Sequence, residues 1–523
     1  MPTRHKILRD VYRDPVTLMQ LADALNAIKG VNRAYAVMGT PDNLDHLRDV
    51  GVSIEGVQAR PTDLLIVVDA GGDSAAAAAL DRAEDELWRE AGPGDGGART
   101  TPARSIAMGM RELPSATLAL ISTPGEYAAA EAFKALGRGL HVMLFSDRVS
   151  LEDEIRLKRE AHRRGLLMMG PDCGTAIING MPLGFANAVR RGGIGVIGAT
   201  GTGIQQVTSL IDLWGGGISQ AFGVGSRDLS EPVGAITMLD ALDTLAQDRA
   251  TRVIVLIAKA ASPRVAEQVL DRAREAGKPV VIDLIGASLR AGSPGIHVVD
   301  TLVEAAAEAT LLGGGSIPER RPKDPLGGQE LTFGPGQLYL RGIFSGGALC
   351  AESTHLLQRD LGPVYSNTPA RPNLRLANPH ESREHTTVDM GDESLTQGRP
   401  HPIIDYGPRI ERIQREAEDP GVAVILFDVV LGYGAHPNPA EALAPVIERT
   451  RNAAQRAGRK LVYVASVCGT DRDPQQLTRQ QSTLQKVGVY VARSNTEAAR
   501  TFSVLQETGV EVQTVQRTFE DIR

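Results

Sequence analysis

The sequence has few aromatic residues, only three cysteines and no long apolar run. Aromatic residues make up 4% of its 523 positions, so the core must consist mainly of Ala, Val, Leu and Ile. Cys173, Cys350 and Cys468 form no C-x-x-C pair, which argues against a disulfide framework or a zinc ribbon. No apolar run approaches the ~18 residues that a membrane span needs. The polar N-terminal residues lack a signal peptide's apolar stretch, so we expect a cytoplasmic protein that does not contact membranes.

The sequence also lacks an excess of basic residues. It has 56 Lys and Arg against 63 Asp and Glu, which gives a formal net charge of −7. Nucleic-acid binding draws on clustered Lys and Arg that neutralise phosphates, so we expect no nucleic-acid partner. The ten histidines are scattered and form neither an H-x-x-x-H motif nor a cluster with carboxylates. No metal site is therefore expected.

Short β-branched runs alternate with amphipathic helical stretches along most of the chain. The runs are apolar without strict alternation, which is typical of strands that are covered on both faces. They include residues 63–69, 116–122, 194–197, 252–258 and 279–283. This order predicts an α/β fold of tandem doubly wound, mainly parallel sheets.

Two segments rich in glycine and proline divide the chain. Residues 92–97 cannot form a helix or strand, and residues 313–330 show no helical period. The first break separates residues 1–97, predicted as a small α+β module with a ferredoxin-like fold, from the rest of the chain. The second separates a central α/β region from a C-terminal one at residues 331–523. Within the latter, residues 366–399 are polar and rich in proline, which predicts a functional or disordered loop.

The sharpest motif follows the apolar run at 194–197. Gly198-x-x-Gly201-x-Gly203 leads into a predicted helix that begins near Thr202. Glycines let an anion approach the backbone, and the free N–H groups of the helix point at it. Thr200 and Thr202 add hydroxyl donors. The spacing is neither that of a Rossmann nor that of a Walker motif, and a tight turn without a ligand is the alternative.

Further glycine turns follow other apolar runs. Gly170-Pro171-Asp172-Cys173 sits at a strand's carboxyl end, where open α/β sheets bind ligands. Cys173 has no His nearby in sequence to activate it, so a buried thiol is favoured over a nucleophile. In Gly223-Val-Gly-Ser-Arg227-Asp228, Arg227 suits bidentate binding of phosphate or carboxylate, with Asp228 orienting it. An ion pair that caps the next helix is the alternative.

A loop in the last third gathers charged side chains. Gly398-Arg399-Pro-His401-Pro combines a cation and a titratable ring with two prolines that fix the backbone. Together with the glycine turns above, it indicates a site for a small anionic molecule. An ordering role within the loop is the alternative for both Arg399 and His401.

Several of these motifs resemble succinyl-CoA synthetase. Residues 170–174 and 195–203 are similar to two glycine turns of its α subunit, and residues 338–357 and 422–428 to the C-terminal domain of its β subunit. The FdrA family joins both parts in one chain, and this sequence is identified as a member. The motifs that carry this resemblance are Met38-Gly-Thr-Pro41, Gly125-Glu-Tyr127, Phe145-Ser-Asp147, Leu151-Glu-Asp-Glu-Ile155, Gly170-Pro-Asp-Cys-Gly-Thr175, Arg227-Asp-Leu-Ser230, Gly398-Arg-Pro-His401 and Asp473-Pro-Gln475.

The resemblance implies a finer division of the chain. Residues 98–190 would form a CoA-binding-like Rossmann domain, residues 191–315 a flavodoxin-like domain, and residues 331–523 a second, CoA-ligase-like flavodoxin domain. A substrate or CoA-like pocket would then be lined by Gly125, Ser146, Gly170, Pro171, Asp172 and Cys173.

The sequence departs from the synthetase in three respects. The region before Ala116 lacks the CoA-wrapping glycine turn, no ATP-grasp domain is present, and the loop that carries the phosphorylated histidine is missing. His297 falls at the start of a predicted strand and is not expected to carry a phosphoryl group. A chain without these parts is not expected to ligate acids to CoA by itself.

Membership of the FdrA family implies a different reaction, carbamoyl transfer in allantoin breakdown. Phosphate and a ureido acid, oxalurate, would give oxamate and carbamoyl phosphate, with partner subunits and a functionally coupled carbamate kinase. We expect Thr200, Gly201, Thr202 and Gly203 to bind phosphate. Arg227 would stabilise the transition state with Asp228 orienting it, and Arg399 and His401 would bind the oxamate carboxylate or move a proton.

Two other functions stay open. One is an acyl-CoA synthetase subunit whose missing parts come from another chain, for which CoA would be the cofactor; carbamoyl transfer requires none. The other is a non-catalytic scaffold that binds an anion without converting it.

Overall fold

The chain forms two compact units. The computed structural model describes residues 3–507 except 10, 12, 14, 50, 55, 90–102, 260, 288–292, 318–332, 335 and 397–399. The first unit comprises Met1–Ala116 and Glu393–Asp405, and the second comprises Thr117–Asp392 and Tyr406–Arg523. The predicted break at 92–97 and most of that at 313–330 lie outside the described residues. None of the described helices has the length and apolarity that crossing a bilayer requires.

The first unit contains a three-stranded antiparallel sheet with the strand order β1-β3-β2. Its elements are β1 (Thr3–Leu8), α1 (Pro15–Asn26), β2 (Val31–Met38), α2 (Pro41–Asp49), β3 (Leu64–Ala70), α3 (Asp73–Arg89) and α4 (Ile106–Glu112). Ile66 and Val68 pack on one face of β3 with Leu25, while Leu65 and Val67 pack on the other. Burial on both faces explains the unbroken apolar run of β3. The predicted small N-terminal α+β module is confirmed; its ferredoxin-like topology stays a prediction.

The second unit begins with two sheets, of which the first is parallel and the second is parallel except for the antiparallel strands β7 and β8. A three-stranded sheet has the order β4-β5-β6, and a seven-stranded sheet has the order β13-β12-β11-β9-β10-β7-β8. Their elements are β4 (Leu118–Ile121), α5 (Gly125–Leu136), β5 (His141–Leu144), α6 (Leu151–Arg164), β6 (Met168–Met169), β7 (Thr175–Ile178), β8 (Met181–Gly184), β9 (Arg191–Gly198), α7 (Gly201–Leu213), β10 (Ile218–Gly223), α8 (Ile236–Gln247), β11 (Val253–Ala258), α9 (Pro263–Arg274), β12 (Val280–Leu284), β13 (Ile296–Val298) and α10 (Leu302–Leu312).

The chain then forms a six-stranded parallel sheet with the order β15-β16-β14-β17-β18-β19. The elements are β14 (Tyr339–Phe344), α11 (Gly347–Leu361), β15 (Tyr365–Ser366), a 3-10 turn (Pro372–Leu374), β16 (Thr386–Asp389), α12 (Glu393–Thr396, in the first unit), α13 (Gly407–Glu418), β17 (Val422–Val430), α14 (Pro439–Arg456), β18 (Val462–Cys468), α15 (Leu477–Lys486), β19 (Tyr490–Ala492) and α16 (Asn495–Glu507). The predicted class, α/β with tandem doubly wound, mainly parallel sheets, is confirmed.

Two details differ from the sequence-based expectations. The hairpin β7–β8 precedes residue 191, yet β7 pairs with β10 of the next sheet, so that sheet begins before the predicted boundary. Its turn is Asn179-Gly180, both with positive φ, which is a strong hairpin signal. The polar segment 366–399 is not one long loop, because it contains β16, which pairs with β14 inside the sheet.

Candidate functional site

The carboxyl ends of β9 and β11 form a topological switch point. From β9 the chain passes through α7 to β10 on one side, whereas from β11 it passes through α9 to β12 on the other. Open α/β sheets bind ligands at such a place. The two strand ends are in contact, because Ala199 N donates to Ile257 O at 2.9 Å. Lys259, the first residue after β11, therefore stands beside the Gly198–Gly203 turn.

The six-stranded sheet has an equivalent switch point at β14 and β17. From β14 the chain passes through α11 to β15, and from β17 through α14 to β18 on the opposite side. Ser345 and Gly346 follow β14, and their N–H groups each donate to the Asp428 carboxylate at 2.8 Å. The last residue of β16, Asp389, is in register with Phe344, so its carboxyl group lies at the same edge.

The two switch points meet. A Cβ atom built on Gly346 would lie 2.9 Å from the Thr202 side chain, and one on Gly203 would lie 3.3 Å from Ala348 Cβ. A Cβ on Gly347 would lie 2.7 Å from Lys259 Nζ and 2.8 Å from Asp389 Oδ2. Only glycine permits this approach, so the glycine turns after β9 and β14 bring the N-termini of α7 and α11 together.

The paired helix N-termini present unused hydrogen-bond donors. The first backbone bonds of the two helices are Ile204 N to Thr200 O and Cys350 N to Gly346 O, so the N–H groups before them have no acceptor within their helix. Thr202 Oγ1 is buried and has no hydrogen-bond partner among the described residues. Aligned peptide dipoles add partial positive charge at both ends. This arrangement suits an oxyanion.

Two buried carboxylates flank the helix ends. Asp428 accepts from Ser345 and Gly346 as above, and Nη2 of the buried Arg409 lies 3.0 Å from its Oδ1. Burial raises the pKa of Asp389, and the nearby Lys259 ammonium lowers it in part. Gly391 N donates to Asp389 Oδ1 at 3.0 Å, which orients the carboxyl group.

Arg227 and Asp228 take part in a buried ion-pair network. Arg227 donates to Glu154 at 2.8 Å and to Val149 O at 2.7 Å. Lys158, fully buried, lies 3.0 Å from Glu154 and 2.6 Å from Asp228. Asp228 also accepts from the first N–H groups of α8. This geometry matches the helix-capping alternative in part, because Asp228 caps α8 and pairs with the buried Lys158, while the Arg227 side chain is 40% exposed and pairs with Glu154.

The predicted pocket residues of the β4-β5-β6 sheet do come together. A Cβ atom built on Gly125 would lie 2.3 Å from Asp147 O, so Gly125 lies against the residue that follows Ser146. The Ser146 carbonyl in turn accepts a hydrogen bond from Asp172 N at 3.0 Å. A Cβ atom built on Gly170 would likewise lie 2.3 Å from Leu144 O. The Cys173 thiol is buried, and burial raises its pKa to about 12. Such a thiol is inert, as expected for a packing residue.

The remaining predicted residues lie elsewhere or cannot be described. Arg399 is outside the described residues. His401 belongs to the first unit, where its Nδ1 accepts from Ile403 N at 3.3 Å in a local turn. His297 lies on β13, and its Nδ1 is 2.8 Å from Glu308. Lys259 and Asp389 were not predicted, although Lys259 follows one of the clearest apolar runs and was detectable as a strand-end cation.

Three family models match the chain. They are described as AllF, heavy metal-associated domain (residues 1–102), CoA binding domain (residues 190–285) and CoA-ligase (residues 343–505). The CoA binding match spans β9 to β12, and the division of residues 98–190 and 191–315 into two domains stays a prediction. Residues 1–102 contain no cysteine, the ligand that soft heavy metals prefer, so this segment does not fit such a metal.

Individual proteins match as well. The chain is 41% identical over 505 residues to YahF of Escherichia coli (strain K12), covering 95% of this chain and 97% of that protein. It is 25% identical over 232 residues to the ADP-forming sulfoacetate-CoA ligase subunit SauD of Bilophila wadsworthia (strain 3_1_6), covering 41% and 77%. Among solved structures, acetyl-coenzyme A synthetase 1 of Ca. Korarchaeum cryptofilum matches with a TM-score of 0.34 and 16% identity, covering 80% and 90%.

Proposed function

The chain belongs, with YahF, to an FdrA-like family of single chains that resemble succinyl-CoA synthetase, and we propose that it is a carbamoyltransferase subunit. At a coarser level it is an acyl-CoA synthetase-like protein with CoA-binding and CoA-ligase domains. The proposed substrates are inorganic phosphate and a small ureido acid such as oxalurate. The match of residues 1–102 to an AllF domain supports a place in allantoin breakdown.

The reaction needs neither a metal nor a covalent enzyme intermediate. An oxygen of phosphate attacks the ureido carbonyl carbon, and the bond from that carbon to the amide nitrogen of oxamate breaks. The proton of hydrogen phosphate ends on the leaving nitrogen, so carbamoyl phosphate and oxamate balance the equation. Catalysis then consists of holding two anions in contact and stabilising the oxyanion that forms.

The observation that carries this proposal is the meeting of two helix N-termini at a pair of switch points. The N-termini of α7 and α11, at Thr200–Gly203 and from Gly347 onward, bring N–H groups without a helical acceptor to one place, while the Gly346 N–H is held by Asp428. Such groups stabilise an anion without needing a phosphorylated histidine. The sequence from the end of β12 to Gly295 contains no histidine, and His297 is engaged with Glu308.

In this proposal Arg227 and Asp228 position a loop and do not contact the reacting atoms. Their side chains bind Glu154, Val149 and Lys158. Partner subunits and a carbamate kinase that consumes the carbamoyl phosphate belong to the proposal as well.

A second candidate is an acid–CoA ligase subunit. It is supported by the CoA-ligase match and by the likeness to SauD, a subunit of an ADP-forming ligase by its name. In that case CoA would bind beside Gly125, Ser146 and Gly170 at the end of the β4-β5-β6 sheet. The phosphoryl carrier and nucleotide site would have to come from another chain.

Phosphorolysis distinguishes the two candidates. The chain, alone and with the products of neighbouring genes, is supplied with oxalurate and phosphate, and carbamoyl phosphate is read through carbamate kinase as ATP. We expect phosphate-dependent activity that Thr202→Ala lowers about ten- to a hundredfold, because a hydrogen bond to a charged group is lost. Thr244→Ala, on the exposed side of α8, is the matched control. CoA thioester formed with ATP and an acid, with no carbamoyl phosphate, would overturn the proposal.

A further inference from the structure

Lys259 occupies an electrostatically unfavourable place. Its ammonium lies beside Gly347, at the N-terminus of α11, where the peptide dipoles already place partial positive charge. It also stands next to the Gly198–Gly203 turn, where α7 begins. A cation at two helix N-termini is repelled by both, so its position requires an anion nearby.

Asp389 supplies only part of that negative charge. Its Oδ2 is 3.8 Å from Lys259 Nζ, which is within ion-pair range but too long for a hydrogen bond. The Asp389 side chain is 4% exposed and that of Lys259 is 31% exposed. The Lys259 side chain therefore keeps contact with solvent, while the carboxylate of its partner is buried.

A second observation points to a ligand at the same place. Thr202 is 7% exposed, and its Oγ1 has no hydrogen-bond partner among the described residues. The Cβ, Cγ2 and Oγ1 atoms of Thr202 would all lie 2.9 Å from a Cβ atom on Gly346, so this side chain with its unpartnered hydroxyl contacts the N-terminus of α11. Gly201 and Gly347 keep partial exposure on either side of it. Hydroxyl, N–H groups and ammonium thus surround one partly accessible position.

We propose that Lys259 is a ligand of a doubly charged tetrahedral oxyanion at the two helix N-termini, and that Asp389 is its counter-ion in the free protein. When the anion binds, it replaces Asp389 as the ion-pair partner of the Lys259 ammonium. This deepens the proposed function, on which its choice of phosphate rests, and it makes Lys259 the charge that selects phosphate over neutral ligands. Both free phosphate and the phosphate group of carbamoyl phosphate have the required chemistry.

The proposal predicts opposite effects for the two partners. Lys259→Met removes the ligand, so the affinity for inorganic phosphate should fall roughly ten- to a hundredfold, the range for a lost charge-assisted bond. Asp389→Asn removes the competing anion but keeps the oxygen that accepts from Gly391, so the affinity should rise severalfold. If the pair were only a structural ion pair, both changes would act in the same direction.

Isothermal titration of the full chain with inorganic phosphate at constant low ionic strength tests this, because salt screens the ammonium. Lys134→Met, which removes an exposed lysine paired with Glu131 in the same unit, is the control and should bind phosphate normally. Lys259→Arg should retain most of the affinity. Titration with carbamoyl phosphate separates the two sources of the anion: tighter binding of either one identifies it as the natural ligand.

Several results would overturn the inference. They are wild-type protein that binds neither anion, Lys259→Met with unchanged affinity, and Asp389→Asn that weakens binding as much as Lys259→Met does. If Lys259→Met unfolds, Lys259→Arg and Asp389→Asn still decide between the two explanations. Binding that depends on Lys259, with no carbamoyl phosphate formed even when the partner subunits are supplied, would leave this inference standing and refute the proposed reaction.

Discussion

Asp283 on β12 is a buried acid without a partner. The residue is fully buried, and neither carboxyl oxygen has a hydrogen-bond partner among the described residues. Burial raises its pKa well above the ordinary value, and Glu352, Glu304 and Asp300 raise it further. A carboxyl group in this position is stable in the folded protein only as the neutral acid.

This burial predicts a definite dependence of stability on pH. An unfolded Asp ionises near pH 4, whereas Asp283 keeps its proton when folded, so folding takes up one proton. Its contribution to the free energy of unfolding is complete below about pH 4. It then falls by about 1.4 kcal/mol for each pH unit until the folded carboxyl itself ionises. In the Asp283→Asn variant the side chain is neutral at every pH, so its free energy of unfolding does not fall in this way.

Thermal unfolding of both proteins across pH 4.5 to 7.5 measures the effect. The variant and the unchanged protein should unfold at nearly the same temperature at the acidic end. As the pH rises, the unfolding temperature of the variant should exceed that of the unchanged protein by a further ~2 °C for each pH unit in a chain of this size. Asp271→Asn, which alters an exposed carboxylate paired with Arg274, should show no such trend. A variant less stable at every pH would mean that Asp283 is ionised and paired, which refutes the reasoning.

Three further changes test other parts of the second unit. Asp228→Asn removes the 2.6 Å carboxylate partner of the buried Lys158 ammonium and leaves Glu154 at 3.0 Å, so we expect a loss of about 1.5–3 kcal/mol as a lower unfolding temperature; no loss would mean that the pair does not stabilise. Cys173 is buried with its pKa raised to about 12, so iodoacetamide at pH 8 should label it only after denaturation, and rapid native labelling would contradict this. Gly203→Ala places a methyl group 2.8 Å from Thr200 Cγ2, 3.1 Å from Ile257 Cγ2 and 3.3 Å from Ala348 Cβ, so it should cost about 1–3 kcal/mol and weaken phosphate binding; unchanged affinity would show that close packing at this turn is unimportant for binding.

The sheets and the glycine turns could be predicted because their signals are local. Strand β11 is a continuous apolar run, buried throughout, since helices cover both faces of its sheet. The turn at Gly198–Gly203 was visible from glycine spacing after such a run, and α7 begins at Gly201, one residue before the predicted start. The class of the fold followed from the alternation of these patterns.

The ion pairs could not be predicted because their partners come from distant elements. Arg227 and Asp228 resemble ligand residues in sequence, but their partners Glu154 and Lys158 lie on α6, which only the folded chain brings near. Asp389 could not be predicted as a site residue for another reason. It ends β16, whose sequence Thr-Thr-Val-Asp has a single large apolar residue and lies within a segment that reads as a loop.

The Lys259 side chain beside two helix N-termini bears on the reaction that we propose. An enzyme that passes a phosphoryl group through histidine must admit an imidazole to the helix ends and release it again with the group attached. In this chain Lys259 occupies the edge of that position, and the sequence after β12 supplies no histidine before His297. In the proposed reaction, Lys259 would hold phosphate for direct attack on the ureido carbonyl, with no histidine between β12 and Gly295 to carry a phosphoryl group.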